Sequence, residues 1–350
     1  MIVDETAYKT VFFLGAGASR GAVDHVLLDQ KRIKSPLNND FFKIAATFAR
    51  AHGKNSAPEQ RLKRLLRVFT RDMPAKGMPS MEEAFSLLYV AKDFPEIFNR
   101  GRGRQPVAGE RKEISDFLRL LFPILALLDQ GNNHKTAYDR LAGNLSDGDT
   151  LITLNYDTML DSALHRRGWD PKKGYSIGGD TARKVKWSRD SSTDQILDVQ
   201  LLKLHGSMNW FVGGEVTNLK KVFTSKPVRI TKPRSNELAK HIRQIAPPIY
   251  GKIFEHEHWQ HLWTEAFHAL CAAEVIVVVG CSLIDTDFHL RVLLSQVART
   301  RKKKDDRFSY ACFVDKTKVR RKWQAVLKGS FLRKGEYSDF QKFLSQKLGV

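Results

Sequence analysis

Short runs of apolar residues recur along the chain and are separated by stretches with helical spacing. The runs lie at residues 11–14, 150–154, 201–204, 275–279 and 310–314, and helices are predicted at 256–272 and 287–298. Strands that are apolar on both faces are typical of a parallel sheet covered by helices. The pattern therefore predicts an α/β fold built on a doubly wound parallel sheet.

The segment between the first two predicted strands carries helical patterns. Ser80 and Glu83 have the spacing of a capping box, and apolar residues recur at helical intervals from Phe117 to Leu127. A loop rich in Gly and Arg is predicted near residues 100–109. We therefore divide the chain into an α/β domain at 1–30 and 140–330, a large helical insertion at 31–139, and a C-terminal helical tail at 331–350.

Composition narrows the environment and the partners. No apolar run approaches the roughly 20 residues that a membrane helix needs, and residues 1–10 have no apolar signal core. We expect a cytoplasmic protein without a membrane partner. The three cysteines form no CxxC pair, so no metal site is expected. The net charge of +20 favours a polyanionic partner or an anionic ligand, although a solvated basic surface explains it equally well.

The first predicted strand runs into a glycine-rich turn, Gly15-Ala16-Gly17-Ala18-Ser19. Glycine allows a sharp turn and close approach to a ligand, and backbone N–H groups in such a turn can bind a pyrophosphate. Arg20 stands where the GxGxxG fingerprint has its third glycine, and no later strand ends in a suitably spaced acidic residue. An ordinary dehydrogenase is therefore disfavoured, and a tight turn without ligand is the alternative to a nucleotide loop.

Asn155 and Asp157 follow the second predicted strand directly. In open parallel sheets, ligands bind at the carboxyl ends of the strands, which places both side chains near the expected crevice. Asn and Asp also favour helix N-caps, so a capping role explains the same residues.

The third predicted strand ends at His205, which Gly206 follows. Histidine titrates near neutral pH and can act as a general base, and a glycine beside it leaves room for a substrate. A hydrogen-bonded loop histidine is the alternative, since the chain contains 11 histidines.

The fourth strand leads into Gly280 and Ser282, and an acidic loop then reaches Asp287 at a predicted helix start. Gly280 and Ser282 suit contact with a ribose or a phosphate. For Asp287, the alternative to a ligand contact is that it caps the N-terminus of the predicted helix.

The ordered motifs GAGAS, TLNYD, KLHGS and VVGCSLIDTD together resemble the sirtuin-like superfamily of NAD-consuming enzymes. The resemblance implies a Rossmann-type domain that binds NAD as its substrate. The paired cysteines of the sirtuin zinc module are absent from the sequence. The chain is more similar to the bacterial sirtuin-like branch of anti-phage systems, such as Thoeris, the short Argonaute systems and pairs with a HerA-type ATPase.

The resemblance implies an NAD glycohydrolase that cleaves the nicotinamide–ribose bond and depletes NAD during antiviral defence. It implies that Asn155 positions the ribose and a water, that Asp157 contacts the nicotinamide carboxamide, and that His205 is the base. The residues that it implies for NAD binding are Gly15, Ala16, Gly17, Ala18, Ser19, Gly206, Gly280, Ser282 and Asp287.

Three other functions fit parts of the sequence. A protein deacylase would use the same pocket, a non-catalytic sensor would bind NAD or ADP-ribose, and a nucleic-acid-binding module would use the basic charge. The insertion is expected to build a homo-oligomer or to carry a regulatory partner, and the resemblance implies a HerA-type ATPase or another defence-system protein as a possible partner. A basic run at residues 299–304 is the candidate contact with nucleic acid.

Overall fold

A computed structural model describes most of the chain. The described residues are 9–72, 77–94, 112–130, 136–176, 196–212, 222–224, 245–246, 257–285, 287–301, 310–314, 317–327 and 332–347. The predicted loop at 100–109 and residues 302–304 of the predicted basic run lie outside them.

Six parallel strands form the central sheet. They are β1 (Thr10–Leu14), β4 (Thr150–Thr153), β5 (Gln200–Lys203), β8 (Val275–Val279), β9 (Tyr310–Val314) and β10 (Leu332–Tyr337). Their order across the sheet is β10-β9-β8-β1-β4-β5, with β1 paired to both β4 and β8. This is the strand order of a Rossmann fold. From β1 the chain adds β4 and β5 on one side of the sheet and then β8, β9 and β10 on the other, so the strand order reverses between β1 and β8.

Helices cover the sheet in two groups. In one group, α1 (Ala16–Ala22) packs with α6 (Ala137–Ala142) and α12 (Phe340–Lys347), and α7 (Met159–His165) packs on α6. In the other group, α10 (Phe288–Arg301) packs between α9 (Glu257–Ala272) and α11 (Thr317–Leu327). The short helix α8 (Pro171–Gly174) contacts β5. The doubly wound α/β fold predicted from the sequence is confirmed.

Four of the described helices that lie before α6 in the chain pack on one another. They are α2 (Phe41–Ala51), α3 (Ala57–Asp72), α4 (Met81–Asp93) and α5 (Lys112–Gln130). Buried aromatic rings hold the cluster together, with Phe117 stacked on Phe41 at 4.6 Å and in edge contact with Phe85 at 4.3 Å. The capping box of Ser80 and Glu83 starts α4, as the sequence predicts.

Two parts of the architecture differ from the sequence-based expectation. A hairpin, β2 (Val26–Leu28) and β3 (Lys31–Ile33), precedes the helical cluster, and β3 lies inside the segment that was expected to be helical. The tail at 331–350, also expected to be helical, contributes the edge strand β10 before α12. A separate two-stranded ribbon joins β6 (Trp210–Val212) to β7 (Val222–Thr224). Within the described residues, no helix has the length and apolarity needed to cross a membrane.

Candidate active site

The four motifs meet at the carboxyl edge of the sheet. Leu14 pairs with both Thr153 and Val279, so the glycine-rich turn lies between the ends of β4 and β8. Thr153 pairs with Lys203 on β5, so Asn155 and His205 stand at equivalent positions, two residues beyond the paired ones. The parallel register therefore places Asn155 and His205 on neighbouring chain segments, as the sequence predicts.

The glycine-rich turn and the β8 turn contact each other through their backbones. Gly15 N donates to Val279 O and Gly17 N donates to Gly280 O, both at 2.9 Å. A Cβ at Gly280 would stand 2.2 Å from Ala18 N, and its φ of +57° lies in the left-handed region. Gly17 and Gly280 are therefore required for the close approach of the two turns at the point where the strand order reverses.

Ser19 is the centre of a buried polar cluster. Its hydroxyl donates to Asp157 Oδ2 at 2.8 Å and lies 2.9 Å from the hydroxyl of Tyr138. Asn155 Nδ2 donates to Ser19 Oγ and to Gly15 O, each at 2.9 Å. A hydroxyl has one donor and two acceptor positions, so Tyr138 donates to Ser19 and the hydroxyl is saturated. The same contacts fix the side chain of Asn155 against the turn.

Both N–H donors of the Asn155 amide are used in these contacts, so its remaining hydrogen-bonding capacity is the acceptor Oδ1. Asn155 is half-buried, whereas Ser19 and Asp157 are buried. The Asn155 side chain is therefore partly exposed, unlike those of Ser19 and Asp157, and its hydrogen bonds hold it in one orientation.

A buried ion pair lies beneath Asp157. Lys203 Nζ donates to the backbone oxygen of Asp157 at 2.5 Å and to Asp161 Oδ2 at 2.9 Å, and both charged side chains are buried. Tyr175 also donates to Asp161, and Asn209 Nδ2 donates to Tyr175 at 3.2 Å. The bond from Lys203 fixes the Asp157 backbone, and the bonds from Lys203 and Tyr175 fix Asp161.

Burial raises the pKa of Asp157, and the nearby positive charge of Lys203 and the hydrogen bond from Ser19 partly offset this effect. Its other oxygen, Oδ1, accepts from Met159 N at 3.2 Å at the start of α7. Asp157 precedes the N-cap residue Thr158, so it accepts a hydrogen bond at the start of α7 without being the N-cap itself.

His205 lies against Asp287, which comes from the loop after β8. The Nε2 atom of His205 is 3.1 Å from Asp287 Oδ2, and both side chains are buried. The imidazole centroid is 6.4 Å from the rings of both Tyr156 and Trp263. His205 O accepts from Ala246 N at 2.9 Å, which fixes the backbone at the strand end.

The remaining predicted residues take different positions around this edge. Ala16 is exposed at the start of α1, whereas Ala18 is buried. Gly206 is buried with a φ of +80°, and Ser282 is exposed beside Gly280. No group of three or more His, Cys, Asp or Glu side chains within the described segments has a metal-binding arrangement.

Sequence reasoning missed several members of the site. Lys203 carried a usable signal, because it is a single charge inside an otherwise apolar strand that continues to His205. Tyr138 and Asp161 carried none, since each comes from a helix whose packing is set by tertiary structure. Trp263 falls on the apolar face of a predicted helix, and the position of Tyr156 and Trp263 beside His205 appears only in the folded chain.

Residues 149–331 match the profile described as "SIR2-like domain", which covers just over half of the 350 residues. The chain belongs to the SIR2-like family. The match includes β4, β5 and β8 with the Asn155, His205 and Gly280 motifs that follow them. A comparison with curated proteins found no match.

Two solved structures of Sir2 are similar over nearly the whole length. One is Sir2 with the inhibitor EX-527, 2'-O-acetyl-ADP-ribose and a deacetylated p53 peptide, at 14% identity, 97% of this chain, 93% of that chain and a TM-score of 0.40. The other is a Sir2 point mutant with a p53 peptide and NAD, at 13% identity, 97% of this chain, 92% of that chain and a TM-score of 0.36.

Proposed function

We propose that the protein is an NAD glycohydrolase that cleaves the bond between nicotinamide and ribose. The observation that carries the proposal is the placement of Asn155 and His205 at equivalent positions beyond β4 and β5, beside the glycine-rich turn after β1. Membership of the SIR2-like family supports NAD as the substrate.

In this proposal, NAD lies across the crevice where the strand order reverses, which is the usual dinucleotide position in this fold. The pyrophosphate contacts the turn from Gly15 to Ser19, where Ala16 is exposed. The adenosine side reaches the β8 turn at Gly280 and the exposed Ser282. The nicotinamide ribose then points toward Asn155 and His205.

The chemistry follows from the two strand-end side chains. Asn155 Oδ1 accepts a hydrogen bond from the ribose or from the attacking water, because its Nδ2 is already held by Gly15 and Ser19. His205 takes the proton from that hydroxyl or water as the C–N bond breaks, nicotinamide leaves with the bonding electrons, and water oxygen bonds to the ribose carbon. General-base catalysis of this kind contributes about 10²–10⁴-fold.

Asp157 is proposed to contact the nicotinamide carboxamide, as the resemblance implies. Its position beneath Ser19 adds a second contribution, since it fixes the hydroxyl that orients Asn155. Asp157→Asn is expected to weaken both effects.

The test measures nicotinamide release from NAD by wild type, His205→Ala and Asn155→Ala. We expect each substitution to lower turnover by about 10²-fold or more, with circular dichroism and melting profile retained. Exposed His268→Ala serves as the matched histidine control and is expected to keep full turnover. Full nicotinamide release by folded His205→Ala would contradict the proposal.

A non-catalytic NAD or ADP-ribose sensor is the second candidate, because the same contacts would hold a ligand without chemistry. Calorimetric binding of NAD without nicotinamide release, alone or with proteins encoded by neighbouring genes, would favour the sensor. A deacylase would instead require an acyl-lysine peptide for NAD consumption.

We further propose that the NAD hydrolase is a cytoplasmic, NAD-depleting effector of antiviral defence that works with other subunits. The support is the resemblance to bacterial defence proteins and the net charge of +20. The proposed partners are further copies of the chain, a HerA-type ATPase, and nucleic acid bound directly or through that partner. Light scattering and salt-dependent binding assays test these partners separately.

A further inference from the structure

Tyr138 is the aromatic member of the polar cluster around Ser19. It is the second residue of α6 and is only 1% exposed. A capping box starts this helix, in which Thr136 Oγ1 accepts from Asp139 N and Asp139 Oδ2 accepts from Thr136 N. Arg166, the C-cap residue of α7, donates to the other oxygen of Asp139 at 2.7 Å. The helix that carries Tyr138 is therefore fixed at its first turn.

The ring and the hydroxyl of Tyr138 have different neighbours. The ring makes an edge contact with Phe340, the first residue of α12, with 5.8 Å between the ring centroids. The hydroxyl lies 2.9 Å from Ser19 Oγ. Burial raises the pKa of this hydroxyl well above its ordinary value, and the negative charge of Asp157 acts in the same direction. The hydroxyl therefore keeps its proton at neutral pH and is available as a donor.

The direction of each hydrogen bond at Ser19 follows from its neighbours. One polar atom of the Asn155 amide lies 2.9 Å from Gly15 O, which can only accept, so this atom is Nδ2. The same Nδ2 donates to Ser19 Oγ, and Ser19 donates its single proton to Asp157 Oδ2. The acceptor position that is left on Ser19 takes the proton of Tyr138. Tyr138 and Asn155 are thus bound to the two acceptor positions of one hydroxyl oxygen.

We propose that Tyr138 is a positioning residue that acts on Asn155 through Ser19. This inference rests on the proposed function. A serine side chain can rotate about its Cα–Cβ bond, and its oxygen moves when it does. Donation from the fixed ring of Tyr138 keeps that oxygen where Asn155 Nδ2 reaches both it and Gly15 O. Asn155 Oδ1 is then held in place for the ribose or the attacking water, and Tyr138 acts without contacting NAD.

The experiment is a double-mutant cycle on kcat for nicotinamide release. Tyr138→Phe keeps the ring that packs on Phe340 and removes only the hydroxyl, and we expect kcat to fall by about 10-fold, the rate equivalent of one hydrogen bond. The dissociation constant for NAD should stay at the wild-type value. Ser19→Ala should also lower kcat, and adding Tyr138→Phe to it should cause no further loss. Tyr337→Phe removes a hydroxyl from another ring that packs on α12, through Phe343, and is the matched control, expected to keep wild-type kcat.

A second readout, by NMR, does not depend on turnover. The side-chain amide protons of Asn155 should exchange with solvent faster in Tyr138→Phe than in the wild type, whereas Tyr337→Phe should leave the exchange rate unchanged. Unchanged exchange in Tyr138→Phe, unchanged kcat, or an equal loss of kcat with and without Ser19 would overturn the inference, because a purely structural tyrosine acts alike in both backgrounds. If the wild type releases no nicotinamide, the proposed function fails, while the exchange rates still decide whether Tyr138 holds Asn155.

Discussion

The two polar regions at the carboxyl edge of the sheet are built in different ways. Around Asp157, the side chains of Ser19 and Asn155 and the ion pair of Lys203 with Asp161 form a continuous hydrogen-bonded network. On the other side, His205 lies close to the carboxylate of Asp287 and to the rings of Tyr156 and Trp263.

This difference separates folding from chemistry. A saturated buried network is expensive to disturb, because each lost partner leaves a desolvated polar group. Histidine, in contrast, is the residue type best suited to proton transfer near neutral pH. We therefore expect changes in the buried ion pair of Lys203 with Asp161 to lower stability, and changes at the strand-end side chains Asn155 and His205 to lower turnover.

The largest expected change in stability comes from Lys203→Met. The substitution leaves the buried carboxylate of Asp161 without its cation, and breaking a buried pair in this way costs about 3–5 kcal/mol of unfolding free energy. Lys172→Met, at an exposed position, is the matched control. Chemical denaturation measures both. If Lys203→Met lost no more unfolding free energy than Lys172→Met, the ion pair would not stabilise the fold.

The second expected effect depends on pH. Burial raises the pKa of Asp129 to about 7, against hydrogen bonds from Thr158 and Ser162 that lower it. Between the ordinary value of 3.8 and about 7, the folded chain holds a proton that the unfolded chain has lost. Stability from this group is therefore present below about pH 4 and is lost as the pH rises through about 7.

The difference between 3.8 and about 7 corresponds to roughly 4 kcal/mol, at about 1.4 kcal/mol for each pH unit. Asp129→Asn should remove this part of the pH dependence. Urea unfolding between pH 4 and pH 8 provides the measurement. A variant whose stability follows the wild-type curve across that range would refute the assignment. Asp129 lies in the helical insertion and accepts hydrogen bonds from Thr158 and Ser162 of the α/β domain. The same measurement therefore tests whether this contact between the two segments contributes to stability.

A smaller loss of stability is expected where the turn after β8 contacts the glycine-rich turn after β1. Gly280→Ala adds a Cβ that would stand 2.2 Å from Ala18 N, whereas Gly148→Ala has a similar positive φ with nothing within 4 Å. Both variants carry backbone strain, so their difference isolates the overlap, which we expect to cost about 1–3 kcal/mol. Equal melting temperatures for the two variants would mean that the turns separate easily.

The sheet was predictable because its strands are apolar on both faces. Five strands were placed to within one residue at each end, and β8 and β9 match the predicted bounds. The edge strand β10, Leu332–Tyr337, was missed because its sequence LRKGEY alternates charge with few apolar residues. An edge strand needs only one buried side, so its pattern is weaker.

The site was predictable in part. Polar residues directly after apolar strands located Asn155, Asp157 and His205 at one edge, since parallel strands end together. The proximity of His205 and Asp287 could not be deduced, because Asp287 lies far along the chain and has the ordinary pattern of a helix cap. The ion pair of Lys203 with Asp161 likewise depends on the packing of α7 against β5, which no local spacing reports.

The most direct test of the central claim identifies the products formed from NAD in ¹⁸O-labelled water. Purified protein, alone and with proteins encoded by neighbouring genes, is incubated with NAD and no acylated peptide, and products are analysed by mass spectrometry. The account predicts equal amounts of nicotinamide and ADP-ribose, with one ¹⁸O at the ribose carbon that carried nicotinamide, and neither product with His205→Ala. Intact NAD under all conditions, or consumption only with an acyl-lysine peptide, would contradict it.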